Sequence, residues 1–273
     1  VRKFTVILSA AVMALATVVS MSPAQAANYH VTASVSTSSA QSGEGPVIAG
    51  QLTPATPGKV VHLQYYYNGD WRTVETTSTN PDGSYTDLIS SDDLGYAVGA
   101  LKFRAKVVGA DGIGTGASPT ITKTIYGWQR LAYVTAIYGN SRRYVDGEGD
   151  LTVNGHSTAS QEGWQITNPL VNQISTRYTK WNLQEKCIRL IGFAGIDDYA
   201  SDVGAQGRLL IGLDGTSHDY DRTFDKNELA YLDKNLYKSK YLTFKGYKLN
   251  SAATRIGVGD PKVLCSKALP MSN

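Results

Sequence analysis

The chain has 273 residues and a formal net charge of +3. Arg2 and Lys3 supply two of those charges in an N-terminal stretch without acids, which leaves about +1 for the remainder, too little for a concentrated basic face that would hold nucleic acid. Seventeen Tyr against five Phe, with 27 Gly, is a β-rich and turn-rich balance.

In chain order, residues 1–26 read as an export signal. Arg2 and Lys3 form a positive start, Val6 to Val19 an apolar run, and Ala24-Gln25-Ala26 the small-x-small cleavage pattern. The run is shorter than the ~20 residues a membrane span needs. Val1 in place of Met suggests a non-standard start codon in a bacterial gene. The mature protein is expected to begin at Ala27 and to be secreted to the extracellular space, with no membrane span.

Roughly 247 residues remain, which is long for one β-sandwich and suits two domains, with a boundary near residues 121–130. Residues 27–126 read as short strands at regular spacing. "VTASVS" and "GPVIAGQLTP" are the first two. "VVHLQYYYNGDWRTVETT" is a hairpin with Val61, Leu63, Tyr65 and Tyr67 alternating with polar partners and Asn68-Gly69 at the turn. "LKFRAKVVGA" and "PTITKTIY" close a set of roughly seven strands in about 95 residues, an immunoglobulin-like sandwich by count and spacing. The stretch "GSY…FRAKVVGADG" resembles bacterial immunoglobulin-like modules, which implies a spacer or adhesion unit; nothing in it argues for chemistry.

Residues 127–273 carry the strand candidates "RLAYVTAIY", "DLTVNG", "QISTRYTKW", "CIRLIGFAGI", "GRLLIGLDG", "KYLTFKGYKL" and "KVLC". One helical piece is predicted at "FDKNELAYLDKNLYK", where Asp225 and Glu228 fit a capping box and Leu229, Leu232 and Leu236 fall on one face. Cys187 and Cys265 are the two cysteines, and in an exported chain a disulfide between them is the default. Zinc spacings are absent. So are a nucleophile elbow, a His-Glu-x-x-His helix and a phosphate-cradling Gly loop. His30, His62, His156 and His218 have no short-range partners in sequence. Trp128 and Trp181 read as structural, one at the domain junction and one at a strand end.

"LTVNG" (151–155), "IGFAGIDD" (191–198), "GRLLIGLDG" (207–215) and "GDPKVLC" (259–265) together resemble the NPCBM family, novel putative carbohydrate-binding modules of secreted bacterial proteins. Gly155 matches its first Gly, Gly195-Ile196-Asp197-Asp198 its paired-acid turn, Asp214-Gly215 a strand-end turn, and Asp260 the acid before the last strand. The chain departs from the pattern at Ala136-Ile137-Tyr138-Gly139, where the family has a Gly-Trp-Gly-like segment, and at Gln165, where it has a His. The resemblance implies a jelly-roll sandwich of the galactose-binding type, often with a structural calcium ion. No other cofactor is expected.

Asp197 and Asp198 admit three readings. Adjacent residues on a strand point to opposite faces, which disfavours the opposed carboxylates of a glycosidase. Calcium needs six to eight oxygens, so Asp150, Asp202 or backbone carbonyls would have to join. A turn staple, with the carboxylates and that of Asp214 accepting backbone N–H groups, is simplest. For sugar binding the candidates are Trp164 in "SQEGWQITN", Tyr138, and Arg142 or Arg143 in "YGNSRRYVDGEGD": an aromatic platform beside planar polar groups. The expected function is non-catalytic binding of galactose-type or other cell-surface glycans. The rivals are a structural or adhesive secreted protein without a sugar site, and a secreted glycoside hydrolase. The oligomeric state is not legible.

Overall fold

The computed structural model describes residues 27–36, 39–40, 45–90, 92–95, 97–139, 142–144, 152–157, 163–165, 177–198, 201–215 and 218–271. The expected export signal, 1–26, lies outside the described residues. All the regular structure described is β, apart from a single 3₁₀ turn at Leu131–Tyr133.

The first half contributes β1 (His30–Val35), β2 (Ser39–Ala40), β3 (Val47–Thr53), β4 (Val60–Tyr67), β5 (Asp70–Ser78), β6 (Ser84–Leu88), β7 (Gly99–Val107), β8 (Gly116–Ala117) and β9 (Ile121–Arg130). One sheet runs β1-β3-β6; the other runs β9-β7-β4-β5, with β2 and β8 as short additions at β9 and β7. This is the strand order of an immunoglobulin-like sandwich. Period-two patterning builds its core: Val61, Leu63 and Tyr65 of β4 face Phe103, Ala105 and Val107 of β7, with Ile48, Leu52 and Tyr85 opposite. Tyr67, expected to continue that alternation, ends 41% exposed beside the hairpin turn. Asn68 and Gly69 both take positive φ, 51° and 94°, as a two-residue hairpin loop requires.

The second half contributes β10 (Ala136–Gly139), β11 (Arg142–Tyr144), β12 (Thr152–Val153), β13 (His156–Ser157), β14 (Gly163–Gln165), β15 (Arg177–Asn182), β16 (Cys187–Ile196), β17 (Gln206–Leu213), β18 (His218–Asp225), β19 (Leu229–Asn235), β20 (Tyr241–Lys248) and β21 (Ile256–Cys265). A five-stranded sheet, β10-β15-β20-β17-β18, closes over a second sheet in which β21 pairs with β14, β16 and β9, while β16 also pairs with β19 and β14 with β11. Between them lies a separate apolar cluster that includes Trp181, Leu190, Ile196, Phe224, Phe244 and Val258. The fold is thus all-β: an immunoglobulin-like sandwich followed by a jelly-roll sandwich. β9 serves both halves, its first residues pairing with β7 and its last four with β21.

The predicted helix over 224–238 is not there. Glu228 does send its side chain back to the Asp225 N–H, at 3.0 Å, so the capping-box bond forms. It closes a turn instead of a helix, because Glu228 N–H bonds Asp225 O and Asn227 takes φ 71°. The chain then runs as β19, with Ala230 and Leu232 inward and Tyr231 and Asp233 outward. Its edge on β16 supplies backbone bonds along seven residue pairs, which overrides the helical spacing of the leucines.

Cys187 and Cys265 are direct cross-strand partners of β16 and β21 and form a disulfide. Cys265 also pairs with Gly127 of β9, so the bridge sits where the two halves share a strand.

Candidate functional site

The loop after β16 is a set of polar clamps. Asp197 is 1% exposed; its N–H donates to Arg255 O at 2.8 Å and its Oδ2 lies 3.4 Å from Arg255 Nη1. Asp198 Oδ2 accepts the N–H of Gly155 at 3.0 Å, tying the loop to the turn between β12 and β13. Ser201 Oγ accepts from Arg255 N–H, and Asp202 Oδ2 from Ala253 N–H at 2.7 Å. Asp214, at φ 52°, accepts the Tyr241 N–H at 2.8 Å and so fastens the β17–β18 turn to β20. Each carboxylate thereby satisfies a backbone donor or a cation on a different segment.

For a calcium ion the donors do not converge. Asp198 Oδ1 is buried without a hydrogen-bond partner among the described residues, but one orphaned oxygen is far from six. Among the described residues no three His, Cys, Asp or Glu side chains gather as a metal site. Asp150 lies outside the described residues.

The glycines of the motifs have packing reasons. A Cβ on Gly195 would stand 2.3 Å from Val153 Cγ1 and 2.4 Å from Glu228 O. One on Gly259 would stand 2.1 Å from the ring of its register partner Phe193. These motifs therefore mark how β16 and β21 pack.

A groove lies on the outward face of the five-stranded sheet. It has a volume of about 410 Å³ and is lined by Tyr178 and Lys180 of β15, Thr243, Lys245 and Tyr247 of β20, and Gly215. Strict alternation creates it: in β20, Leu242 and Phe244 enter the core, while Tyr241, Thr243, Lys245 and Tyr247 point outward. The register sets Tyr178 opposite Lys245 and Lys180 opposite Thr243. On the other side Lys245 faces Leu210, which is 3% exposed, and Tyr247 faces Arg208. Arg208 is held by a two-pronged pair with Asp221, which raises the guanidinium pKa chiefly through the hydrogen bonds. Lys180 Nζ sits 4.0 Å from the centroid of the Tyr241 ring. Among the described residues no carboxylate forms an ion pair with Lys180 or Lys245. Two rings, a hydroxyl and two ammonium donors thus converge on one depression, a composition able to stack a sugar face and bond its hydroxyls.

The residues singled out from sequence distribute over both sheets. Tyr138 stands opposite Lys180 in the β10–β15 register, at the border of the groove. Arg142 pairs with Gln165 and Arg143 with Trp164, while Trp164 pairs on its other side with Val258. Arg142 and Trp164 thus occupy neighbouring strands of the second sheet, β11 and β14, at successive register positions, and Tyr138 belongs to the first sheet. Trp181 is fully buried, packed edge-on to Phe244 at 5.1 Å. The groove residues were missed, although "KYLTFKGYKL" was read as a strand; the signal was the outward row Tyr-Thr-Lys-Tyr at every second position.

No protein-family model matches the chain, and no curated protein matches it by sequence. Solved structures to which the chain is similar include a CBM51 domain from a Clostridium perfringens GH95 protein in complex with methyl-galactose. It shows 14% identity and a TM-score of 0.36 over 50% of this chain and 99% of that one. Another is CBM51-2 with GlcNAc and INT domains from Clostridium perfringens ZmpB, at 14% identity and a TM-score of 0.39, covering 76% and 46%. A tetra-tandem repeat from the extending region of a large adhesion protein gives 15% identity and a TM-score of 0.30, covering 86% and 49%. The chain spans less than half the length of the first ZmpB structures it matches. Among the described residues no helix is long and apolar enough to cross a membrane.

Proposed function

We propose that this is an exported protein of two units, 27–126 and 127–273, whose second unit is an NPCBM-type module that binds carbohydrate without catalysis. The groove formed by Tyr178, Thr243, Lys245 and Tyr247 carries this reading. Its rings offer the apolar faces a pyranose stacks on, and its donors suit hydroxyl groups. The four ordered sequence motifs add to it. The carboxylates of the 197–202 loop are each engaged with backbone or Arg255, which favours a fastening role over acid–base work. The β11–β14 stretch that carries Arg142 and Trp164 is the alternative location for the same function.

Isothermal titration with methyl galactoside and with GlcNAc tests the reading, with a dissociation constant of roughly 10 µM to 1 mM expected for one stacked ring and a few exposed hydrogen bonds. Tyr247→Ala should abolish binding if the groove is the site, and Trp164→Ala if the β11–β14 stretch is. Release of reducing sugar from an oligosaccharide by the purified protein would overturn the non-catalytic reading.

A further inference from the structure

The β9-β7-β4-β5 sheet of the first half turns one face to its core and the other outward. On the outward face β7 presents Lys102, Arg104 and Lys106 at alternate positions, which places a cation about every 7 Å along the strand. No Asp or Glu occupies a register position on that face, from Thr122 and Thr124 of β9 across to Trp71 and Thr73 of β5. Among the described residues none of the three cations is paired with a carboxylate.

These side chains are ordered by one another. The Arg104 guanidinium carbon lies 4.2 Å from the Trp71 ring centroid. Its Nε donates to Gln64 Oε1 at 2.9 Å, and Gln64 Nε2 donates in turn to Thr73 Oγ1 at 3.1 Å. Tyr66, 38% exposed, meets Trp71 edge-on with centroids 5.3 Å apart, and Lys102 Nζ is 5.6 Å from the Tyr66 centroid. Stacking and the Nε bond fix the plane of the guanidinium, while its two Nη groups donate to no described residue. A fork held in this way has already lost the rotamer freedom that binding would otherwise cost, and its geometry matches a carboxylate.

We propose that this face is a second binding site and that its ligand is an acidic polysaccharide. Arg104 receives a carboxylate of the glycan, Lys102 and Lys106 meet neighbouring charges, and Tyr66 with Trp71 supports a sugar ring. Partial burial of Arg104, which lowers its pKa by desolvation, also strengthens its attraction for an anion. The tilted pair of rings, one of them covered by the guanidinium, offers no flat platform for successive bases, and the chain as a whole carries only +3, so a nucleic acid is the poorer fit.

The full chain is titrated calorimetrically with short oligogalacturonate and hyaluronate oligosaccharides, with a neutral oligogalactoside and single-stranded oligothymidylate as parallel arms. An acidic oligosaccharide should bind, more weakly as salt rises and more weakly in the β7 variants, whereas any binding of the neutral one should be the same in those variants as in the wild type. Arg104→Lys keeps the charge and loses the fork, and should weaken binding by about tenfold or more. Lys102→Gln/Lys106→Gln should flatten the salt dependence, and Tyr247→Ala, in the other half, should leave acidic-oligosaccharide binding unchanged. Near-ultraviolet circular dichroism checks that each variant is folded. Unchanged acidic-oligosaccharide affinity in both folded β7 variants, absence of binding to either acidic oligosaccharide, equal loss of neutral-sugar binding in the β7 variants, or tighter binding of oligothymidylate would each overturn the proposal.

Discussion

In the first half of the chain, two sheets close over a core made by alternating side chains, and one polar fastening is the buried Tyr85 hydroxyl bonded to the Thr32 carbonyl. In the second half the same architectural task is met with a disulfide and a ring of carboxylate clamps that join loops distant in sequence. Cys187 and Cys265 join strands 78 positions apart, and closing so long a span costs conformational entropy that a covalent bond offsets. The carboxylate clamps likewise tie Asp198 to Gly155 and Asp202 to Ala253, segments more than forty positions apart.

The largest expected effect therefore comes from the disulfide. Replacing Cys187 and Cys265 by Ser frees a loop of 78 positions and should cost roughly 4 kcal/mol. Hydrogen exchange should show the loss in β16, β20 and β21 and leave β4 and β7 protected. Equal loss in both halves would mean that the shared strand β9 makes them one cooperative unit.

Next comes Asp197. Arg255 is mostly buried, and its Nε has no partner among the described residues, so removing the Asp197 carboxylate strands a cation. Asp197→Ala should destabilise the second half by about 3 kcal/mol, read by urea denaturation. A chelator should leave the melting temperature unchanged; a large chelator-induced drop that vanishes in the variant would instead establish a metal at the loop.

Gly195→Ala follows, at about 1–3 kcal/mol, because its Cβ meets the Glu228 backbone as well as Val153. A neutral result by thermal melting would show that the β16–β19 edge yields more readily than the clamps imply.

What was legible in the sequence depended on how local the determinant is. β16 and β17 could be read from their apolar runs and the Asn68-Gly69 hairpin from its turn, since those signals reside in a few adjacent residues. The 224–238 segment misled because its capping pair and leucine spacing are helical, while the deciding partner, the edge of β16, lies more than thirty positions away. The groove was hidden for a related reason. Tyr178 and Lys245 become neighbours only through the β15–β20 register, and nothing near either residue encodes that pairing. The acids of the 197–202 loop were visible, but their partners Gly155, Ala253 and Arg255 were not.

The smallest effect concerns Tyr85, and its sign can be worked out. Burial pushes the Tyr85 pKa far above its usual value near 10, because the phenolate would be formed away from water. In the unfolded chain the same group ionises near pH 10. The native state thus holds the proton more tightly, and the stabilisation is complete below about pH 10 and declines as pH rises from there toward the native value. Tyr65 is shifted in the same direction, by burial first and by Tyr67 second, and adds to the slope. In the second half Tyr220 is also raised by burial, so both halves should weaken in alkali, the first more steeply. Tyr85→Phe should lose about 1 kcal/mol at neutral pH, where the bond to the Thr32 carbonyl is missing, and should lose less with rising pH than the wild type. Hydrogen exchange of β1, β3 and β6, followed through the alkaline range, reads both effects. An alkaline slope in those strands that persists undiminished in the variant would assign the titration to another group.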